Sequence, residues 1–212
     1  ILVGLFKKVV IADRLAIYVD SVYSSMDKAD GLPATLGVIF FAFQLYLDFS
    51  AYSQIAVGTA RIMGFRLTRN FNLPYMATTF REFWSRWHIT LTQWFRDYLY
   101  IPLGGNRNGK YKMLLNVLIV FVISGLWHGA SWNFVIWGVL NGLVYLTFTH
   151  VINFKPKVFW TKNLCRIFVV GFWILTLVFF RSETFSDAML TFSAIGFVNV
   201  DNITSFGMSA TE

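Results

Sequence analysis

The 212 residues are 56% hydrophobic and only 14% charged, with a mean hydropathy of +0.56, whereas about 25% of the residues of a soluble domain are charged. This composition excludes an ordinary soluble domain, and the absence of alternating β-barrel segments predicts helical membrane spans. The net charge of +7 is typical of loops that face anionic lipid and the cytoplasm, so we expect membrane lipid, not nucleic acid, as a partner. The single cysteine, Cys165, excludes an internal disulfide and a cysteine-based zinc site.

Two helices are predicted in the first part of the chain. Residues 1–25 carry five charged side chains among apolar ones, which predicts an amphipathic helix at the membrane interface or against the bundle. A loop over residues 26–33 separates it from a span over residues 34–58. Asp48 lies in the polar half of that span, and an aspartate near the bilayer centre costs about 2.5–3.5 kcal/mol. It is therefore either a substrate-binding residue or a structural carboxylate, paired with an arginine or close to the interface.

The stretch from Thr79 to Tyr100 predicts one aromatic, cationic helix that lies at the membrane surface or dips into it. Thr79 and Glu82 have the spacing of a capping box, and Glu82 and Arg86 have the spacing of a helical ion pair. His88 lies at the edge of the aromatic stripe, where packing is the ordinary interpretation of a histidine. The stripe recurs at spacings of three and four and consists of Phe80, Trp84, Trp87, Leu91, Trp94 and Tyr98.

An apolar hairpin is predicted from Met113 to about Val151, with His128 at its tip. Its first arm, Met113 to Trp127, rises roughly 22 Å at about 1.5 Å per residue, less than a hydrocarbon core of about 30 Å. We therefore expect His128 within the membrane's depth, where an ionisable group indicates a functional site. The alternative is a neutral histidine that donates a hydrogen bond inside the bundle. Both open ends of the hairpin are basic, which predicts that they face the cytoplasm.

A further apolar helix is predicted over residues 167–180, after a basic loop that includes Lys162 and Arg166. An amphipathic helix is predicted near residues 187–195. The sequence thus predicts an all-α, multi-pass transmembrane protein with an interfacial or re-entrant helix, and one membrane-embedded domain over residues 1–212. Because the chain begins at Ile1 inside an apolar run, we expect it to be a piece of a longer protein.

The polar residues indicate acid–base chemistry. The three histidines, His88, His128 and His150, share no close-spaced ligand motif, so no metal site is predicted. A neutral imidazole in an aromatic pocket can accept the proton of a hydroxyl as that hydroxyl attacks an acyl carbon, and exclusion of water limits hydrolysis of the donor. A thioester donor is already activated, so we expect no ATP site and no tightly bound cofactor.

Six motifs in a fixed order carry a resemblance to a known family. They are residues Leu47–Ser53, Arg61–Phe65, Asn70–Tyr75, Glu82–His88, Trp94–Gly105 and Gly125–Gly129. Together they resemble the membrane-bound O-acyltransferase (MBOAT) family, and within it the bacterial alginate O-acetyltransferase branch. The resemblance extends from residue 1 to about residue 190, and the ordered set is highly specific.

The resemblance implies a bacterial inner-membrane enzyme with a tunnel, which moves an acyl group from a cytoplasmic thioester to an extracytoplasmic polysaccharide. Acetyl-CoA or an acyl-carrier protein is the implied donor, and an extracytoplasmic acetyltransferase is the implied partner protein. His128 matches the catalytic histidine of the family, and His88 matches a second histidine of the bacterial branch. The predicted substrate-binding residues are Trp127, Trp87, Asp48 and Arg86.

The sequence is compatible with several alternative functions. The D-alanyl transferases of teichoic acid synthesis share the pattern of residues 83–88 but not that of residues 100–107, which favours acetyl transfer to a polysaccharide. D-alanyl transfer, peptidoglycan O-acylation, a transporter using Asp48, Arg81 and Arg86, and a non-catalytic scaffold stay open. Ala51 stands where the family has glycine. Because family members are about twice this length, we expect the N-terminal helices that would complete the tunnel, and part of the C-terminus, to be missing from this chain.

Overall fold

The computed structural model describes residues 1–29, 31–152 and 156–196. In these ranges all regular structure is helical, apart from one bridge between Gly31 and Ile195. Four of the described helices are long and apolar enough to cross a membrane, namely Leu32–Ile62, Lys110–His128, Trp132–Val151 and Phe159–Arg181. The chain is therefore an all-α, multi-pass membrane protein, as predicted.

The helix boundaries differ from the predicted ones at basic residues. The sixth helix begins at Lys110 rather than Met113, and the eighth begins at Phe159 rather than Ile167, so Lys162 and Arg166 lie in a helix and not in a loop. Short π-helical segments lie at Phe6–Ala12, Arg96–Tyr100 and Thr147–Val151. In the described residues the α-helices are α1 (Leu2–Leu5), α2 (Asp13–Ser24), α3 (Leu32–Ile62), α4 (Phe80–Arg86), α5 (Ile89–Phe95), α6 (Lys110–His128), α7 (Trp132–Leu146), α8 (Phe159–Arg181) and α9 (Phe185–Ala194).

The described residues form two compact units. One contains Ile1–Thr68 and the segment that begins at Arg181, and the other contains Arg69–Phe180. The single domain over residues 1–212 stays a prediction, and each unit is described by itself below.

In the first unit, α1, the π-helical segment and α2 run without interruption and pack along α3. A Cβ on Gly37 would lie 2.7 Å from Cγ1 of Val22, and a Cβ on Gly4 would lie 2.8 Å from the carbonyl oxygen of Ala51. The absence of side chains at these glycines lets the helices approach closely. The predicted first helix therefore packs against a neighbouring span along its length.

The end of α9 in the first unit is hydrogen-bonded to the residue before α3. α9 forms where an amphipathic helix was expected, and Thr184 and Asp187 make a capping box at its start. The Gly31 N–H donates to the Ala194 carbonyl at 2.8 Å. Gly31 has a φ of 64°, a left-handed conformation that glycine adopts without strain. This turn is where the loop before the first span was predicted, and Asp30 lies outside the described residues.

In the second unit, α6 and α7 form the predicted hairpin. Their backbones approach at glycines, since a Cβ on Gly138 would lie 3.2 Å from the Cα of Val122 and one on Gly125 would overlap the Phe134 carbonyl oxygen. Such small residues are typical of helix contacts in lipid, where close van der Waals packing drives association. The apolar part of α6, from Met113 to His128, rises about 24 Å, and the whole helix from Lys110 rises about 28 Å, close to a hydrocarbon core of about 30 Å.

The predicted continuous helix from Thr79 to Tyr100 is wrong, because the chain breaks it between α4 and α5. Trp87 is extended, with φ −99° and ψ 129°, and His88 is left-handed, with φ 43° and ψ 53°. The Ile89 N–H donates to the Asn70 carbonyl at 2.9 Å, and the Asn72 N–H donates to the carbonyl of Arg86 at 2.9 Å. Residues 70–72 thus form hydrogen bonds with the Ile89 N–H and the Arg86 carbonyl, which a continuous helix would pair internally.

The start of α4 is close to its prediction. The Thr79 hydroxyl accepts the Glu82 N–H at 3.1 Å, as a capping box requires. The Glu82 carboxylate, however, accepts the N–H of Thr78 at 2.7 Å, so the reciprocal bond of the box is displaced by one residue. The predicted ion pair is present, with 2.6 Å between Arg86 Nη2 and Glu82 Oε1.

An aromatic core fills the second unit, and it consists of Phe83, Trp84, Trp87, Trp137 and Trp173. Ring centroids are 4.7 Å apart for Trp87 and Trp173 and 4.9 Å apart for Phe83 and Trp173. Trp137 and Trp173 are both 2% exposed. Large rings bury the most apolar area per residue, so this core fixes α4, α7 and α8 around the end of α6.

Candidate functional site

His128 is the last residue of α6, and its partly buried ring is surrounded by other aromatic rings. Centroid distances from the imidazole are 4.9 Å to Trp127, 5.0 Å to Phe180, 5.4 Å to Trp137 and 6.4 Å to Phe134. These contacts come from three helices, α6, α7 and α8. The arrangement gives the imidazole a largely apolar environment.

The turn of the hairpin makes this packing possible. Gly129 follows His128, and a Cβ at this glycine would overlap the Phe134 ring. The Ser131 hydroxyl then caps α7 by accepting the Asn133 N–H at 3.3 Å. Because the turn is so short, the first residues of α7 are brought back against the end of α6.

His88 lies in the break between α4 and α5, and its ring is close to the Trp127 indole, which His128 also contacts. The centroid of His88 is 6.3 Å from that of Trp127, with the rings inclined at 74°. The Trp127 side chain, which is 57% exposed, therefore contacts both imidazoles. A left-handed backbone at a residue other than glycine stores strain, and such strain is concentrated at functional sites.

The His88 ring is held from one side by Asn70. The distance from Nδ1 of His88 to Oδ1 of Asn70 is 3.1 Å. The same oxygen accepts the Thr90 N–H at 3.2 Å and the Thr90 hydroxyl at 2.9 Å. Burial lowers the pKa of His88 to about 4, because a charged ring is poorly solvated there. The imidazole is therefore neutral near pH 7.

Two other predicted site residues have structural partners in the second unit. Trp87 is buried and stacks on Phe83 with a centroid distance of 5.8 Å. Arg86 donates to the carboxylate of Glu82 and to the Leu73 carbonyl at 3.4 Å. The substrate-binding roles of Trp87, Arg86 and Trp127 stay predictions, and of the three only Trp127 is largely exposed.

Asp48 belongs to the first unit, whereas the other predicted site residues belong to the second. Its carboxylate lies 2.9 Å from Nζ of Lys8, and the same ammonium lies 2.9 Å from the carboxylate of Asp13. The cation beside Asp48 is therefore Lys8 of the π-helical segment Phe6–Ala12, and not the arginine that was one of the sequence-based alternatives. Its role in substrate binding stays a prediction.

This shared cation leads to a stability prediction. Lys8→Met is expected to lower the thermal unfolding temperature of the intact protein more than Asp48→Asn does. The first change leaves two neighbouring carboxylates to repel each other without the cation between them, whereas the second leaves the Lys8–Asp13 pair in place. Unfolding in detergent, followed by circular dichroism, measures both shifts.

The neighbouring Lys7 provides the matched control, because its ammonium pairs with no carboxylate among the described residues. Lys7→Met is expected to shift the unfolding temperature less than Lys8→Met. A larger effect of Asp48→Asn than of Lys8→Met would contradict the shared-cation interpretation.

The sequence interpretation missed four residues at this site. Phe134, Trp137 and Phe180 surround His128, and Asn70 contacts His88. Asn70 stands in one of the family motifs, so that motif was an available signal. The three aromatic residues had no such signal, because they come from α7 and α8 and meet His128 only in the folded unit.

Comparisons with known proteins agree with this architecture. The family model described as "MBOAT, membrane-bound O-acyltransferase family" matches residues 1–186. A protein named peptidoglycan O-acetyltransferase, from Helicobacter pylori, is 37% identical over 99% of this chain and 40% of its own length. A protein named probable alginate O-acetylase AlgI, from Pseudomonas syringae pv. tomato, is 42% identical over 91% of this chain and 37% of its own length.

A more distant relative, named teichoic acid D-alanyltransferase and found in Streptococcus thermophilus, is 31% identical over 51% of this chain and 28% of its own length. The chain thus spans about two fifths of the first two relatives. The family match covers most of the chain, including both histidines and the helices that carry them. The chain belongs to the membrane-bound O-acyltransferase family.

Proposed function

We propose that the intact protein is an O-acetyltransferase of the bacterial inner membrane. It transfers an acetyl group from a cytoplasmic thioester, acetyl-CoA or an acyl-carrier protein, for the O-acetylation of an extracytoplasmic polysaccharide such as alginate. The observation that carries this proposal is the placement of His128 at the end of α6, among four aromatic rings and beside the indole that also contacts His88.

The proposed chemistry uses His128 as a general base. A neutral imidazole takes the proton of the acceptor hydroxyl while the hydroxyl oxygen bonds to the acyl carbon, and the carbon–sulfur bond then breaks. The proton passes to the departing thiolate, so the imidazole returns to its neutral form. The surrounding rings, which include Phe134 and Phe180, keep water away from the activated acyl group.

His88 is proposed to contact the acceptor beside the Trp127 indole. The hydroxyl that enters the site belongs either to the polymer or to an extracytoplasmic acetyltransferase that completes the transfer. Trp127 is exposed and contacts both imidazoles, so it is the side chain best placed to pack against an acyl chain or acceptor between them.

The names of the relatives support acetyl as the acyl group. The relatives that align with 99% and 91% of this chain are named for O-acetylation, whereas the one named for D-alanyl transfer aligns with 51%. Peptidoglycan is the second candidate acceptor, because the relative named for it aligns with nearly the whole chain. The membrane orientation with the basic hairpin ends in the cytoplasm is part of the same proposal.

Deletion of the gene for the intact protein is the test. We expect surface polysaccharide from the deletion strain to lose its alkali-labile O-acetyl groups, as measured by mass spectrometry, and to regain them with the full-length gene. Loss of acetyl from peptidoglycan alone would establish the second acceptor instead. Loss of D-alanyl esters, or no change in any polymer, would contradict acetyl transfer.

A further inference from the structure

The orientation of the Asn70 side chain is fixed by its neighbour. Oδ1 of Asn70 lies 3.2 Å from the backbone nitrogen of Thr90 and 2.9 Å from the Thr90 hydroxyl. A backbone N–H is a donor and never an acceptor. If the amide were turned over, its NH₂ group would face that donor, so the atom at this position is the oxygen.

The same oxygen determines which nitrogen of His88 carries a proton. It lies 3.1 Å from Nδ1, and an amide oxygen is an acceptor only. The contact is therefore a hydrogen bond when Nδ1 bears the hydrogen and a repulsion between lone pairs when it does not. A neutral imidazole has one N–H, so a proton on Nδ1 leaves the lone pair on Nε2.

We infer that Asn70 is a positioning residue that holds the neutral His88 ring in the Nδ1–H tautomer, with Nε2 as its proton-accepting atom. In an imidazole, Nε2 points away from the bond that Nδ1 makes. The catalytic consequence rests on the proposed function: Nε2 of His88, and not Nδ1, accepts a hydrogen bond from a hydroxyl of the acyl acceptor other than the attacking one, whose proton goes to His128.

The backbone around Asn70 allows this role to be tested apart from folding. The Ile89 N–H donates to the Asn70 carbonyl, and the Asn72 N–H donates to the Arg86 carbonyl, both at 2.9 Å. These bonds do not involve the Asn70 side chain. Asn70→Ala thus leaves these two backbone bonds in place but removes the oxygen that accepts from His88 and from the N–H and hydroxyl of Thr90, whereas Asn70→Asp keeps an acceptor for all three.

Solid-state ¹⁵N NMR of the full-length protein in lipid bilayers distinguishes protonated from unprotonated ring nitrogens. The His88 signals are assigned by their absence from the spectrum of His88→Gln. We expect Nε2 of His88 to resonate as an unprotonated nitrogen in the wild type and in Asn70→Asp. In Asn70→Ala we expect the tautomer ratio to shift towards Nε2–H by up to about tenfold, the effect of one hydrogen bond. A protonated Nε2 in the neutral wild-type ring, or an unchanged ratio in Asn70→Ala, would overturn the inference.

Asn72→Ala is the matched control, because Asn72 is exposed and its backbone N–H bonds to Arg86. It is expected to leave the His88 spectrum unchanged, and a shift equal to that of Asn70→Ala would overturn the assignment to Asn70.

Kinetic measurements test whether the His88 tautomer affects catalysis. Asn70→Ala should lower kcat by up to about tenfold with little change in KM. Asn70→Asp should recover kcat and move the acidic limb of the pH profile upwards, because a carboxylate raises the pKa of the ring. A shifted tautomer with an unchanged kcat would overturn the catalytic part of the inference and leave the tautomer assignment standing. Acyl transfer missing from the wild type would contradict the proposed function without affecting the spectrum.

Discussion

Replacing His128 by glutamine in the full-length protein is expected to lower acyl transfer by about a hundredfold to ten-thousandfold, the usual contribution of a general base. Glutamine is polar and of similar length, but it does not accept a proton near neutral pH. The rings around this position, Trp137 and Phe180 among them, remain to hold the end of α6. Transfer of a labelled acetyl group from the thioester to the polymer, measured in membranes, reports the loss.

His150 provides the matched control for this substitution. It lies in the π-helical segment Thr147–Val151, at the end of the second arm that is far from the hairpin tip. His150→Gln therefore makes the same side-chain substitution at a distance from the candidate site. We expect it to keep most of the transfer activity. Equal activity of His128→Gln and the wild type, at equal amounts in the membrane, would refute the base role of His128.

The hairpin was predictable because its cause is local. Two long apolar runs separated by Gly129–Ser131 form two helices, and a turn this short forces them to be antiparallel. The helix ends were less predictable, because charged residues were taken as loop formers. Lys110, Lys162 and Arg166 instead extend α6 and α8, since long cationic side chains can lie along an apolar surface and reach the interface with their charged ends.

The break at His88 was not predictable from periodicity. Spacings of three and four continue through residues 80–98, so the pattern favours one helix. The competing hydrogen bonds come from Asn70 and Asn72, which precede the break by more than a dozen residues. Tertiary pairing of this kind overrides local helix propensity, and here it places Trp87 in the aromatic core while leaving Trp94 and Tyr98 exposed.

The candidate site also contains some residues that local sequence motifs predict and others that only tertiary packing brings together. His128 and His88 stood out from the sequence because each is carried by a specific motif, and the structure brings both to Trp127. The rings that enclose His128 depend on the packing of α7 and α8, which no local pattern encodes. The position of Lys8 beside Asp48 likewise depends on the packing of the first helix along α3.

Replacing Gly125 by alanine is expected to destabilise the protein by about 1–3 kcal/mol, the range for overpacking a close contact. A Cβ there would overlap the Phe134 carbonyl oxygen and lie 3.5 Å from the Cα of Gly138. Both obstacles are backbone atoms, which cannot turn aside as a side chain can, so α6 and α7 must separate. Because His128 is on the next turn of α6, we also expect acyl transfer to fall. Unfolding by denaturant in mixed micelles measures the first effect, and labelled acetyl transfer measures the second.

Gly171 is the matched control, since it lies in the middle of α8 and a Cβ there would meet no atom within 4 Å. Gly171→Ala relieves the poor helix propensity of glycine, worth up to about 1 kcal/mol, so we expect unchanged or slightly higher stability. Opposite signs for two identical substitutions in two membrane helices would show that backbone contact, and not glycine content, sets the stability of the hairpin. If Gly125→Ala proved as stable and active as Gly171→Ala, the close approach of α6 and α7 would be wrong, and with it the position given to the His128 ring.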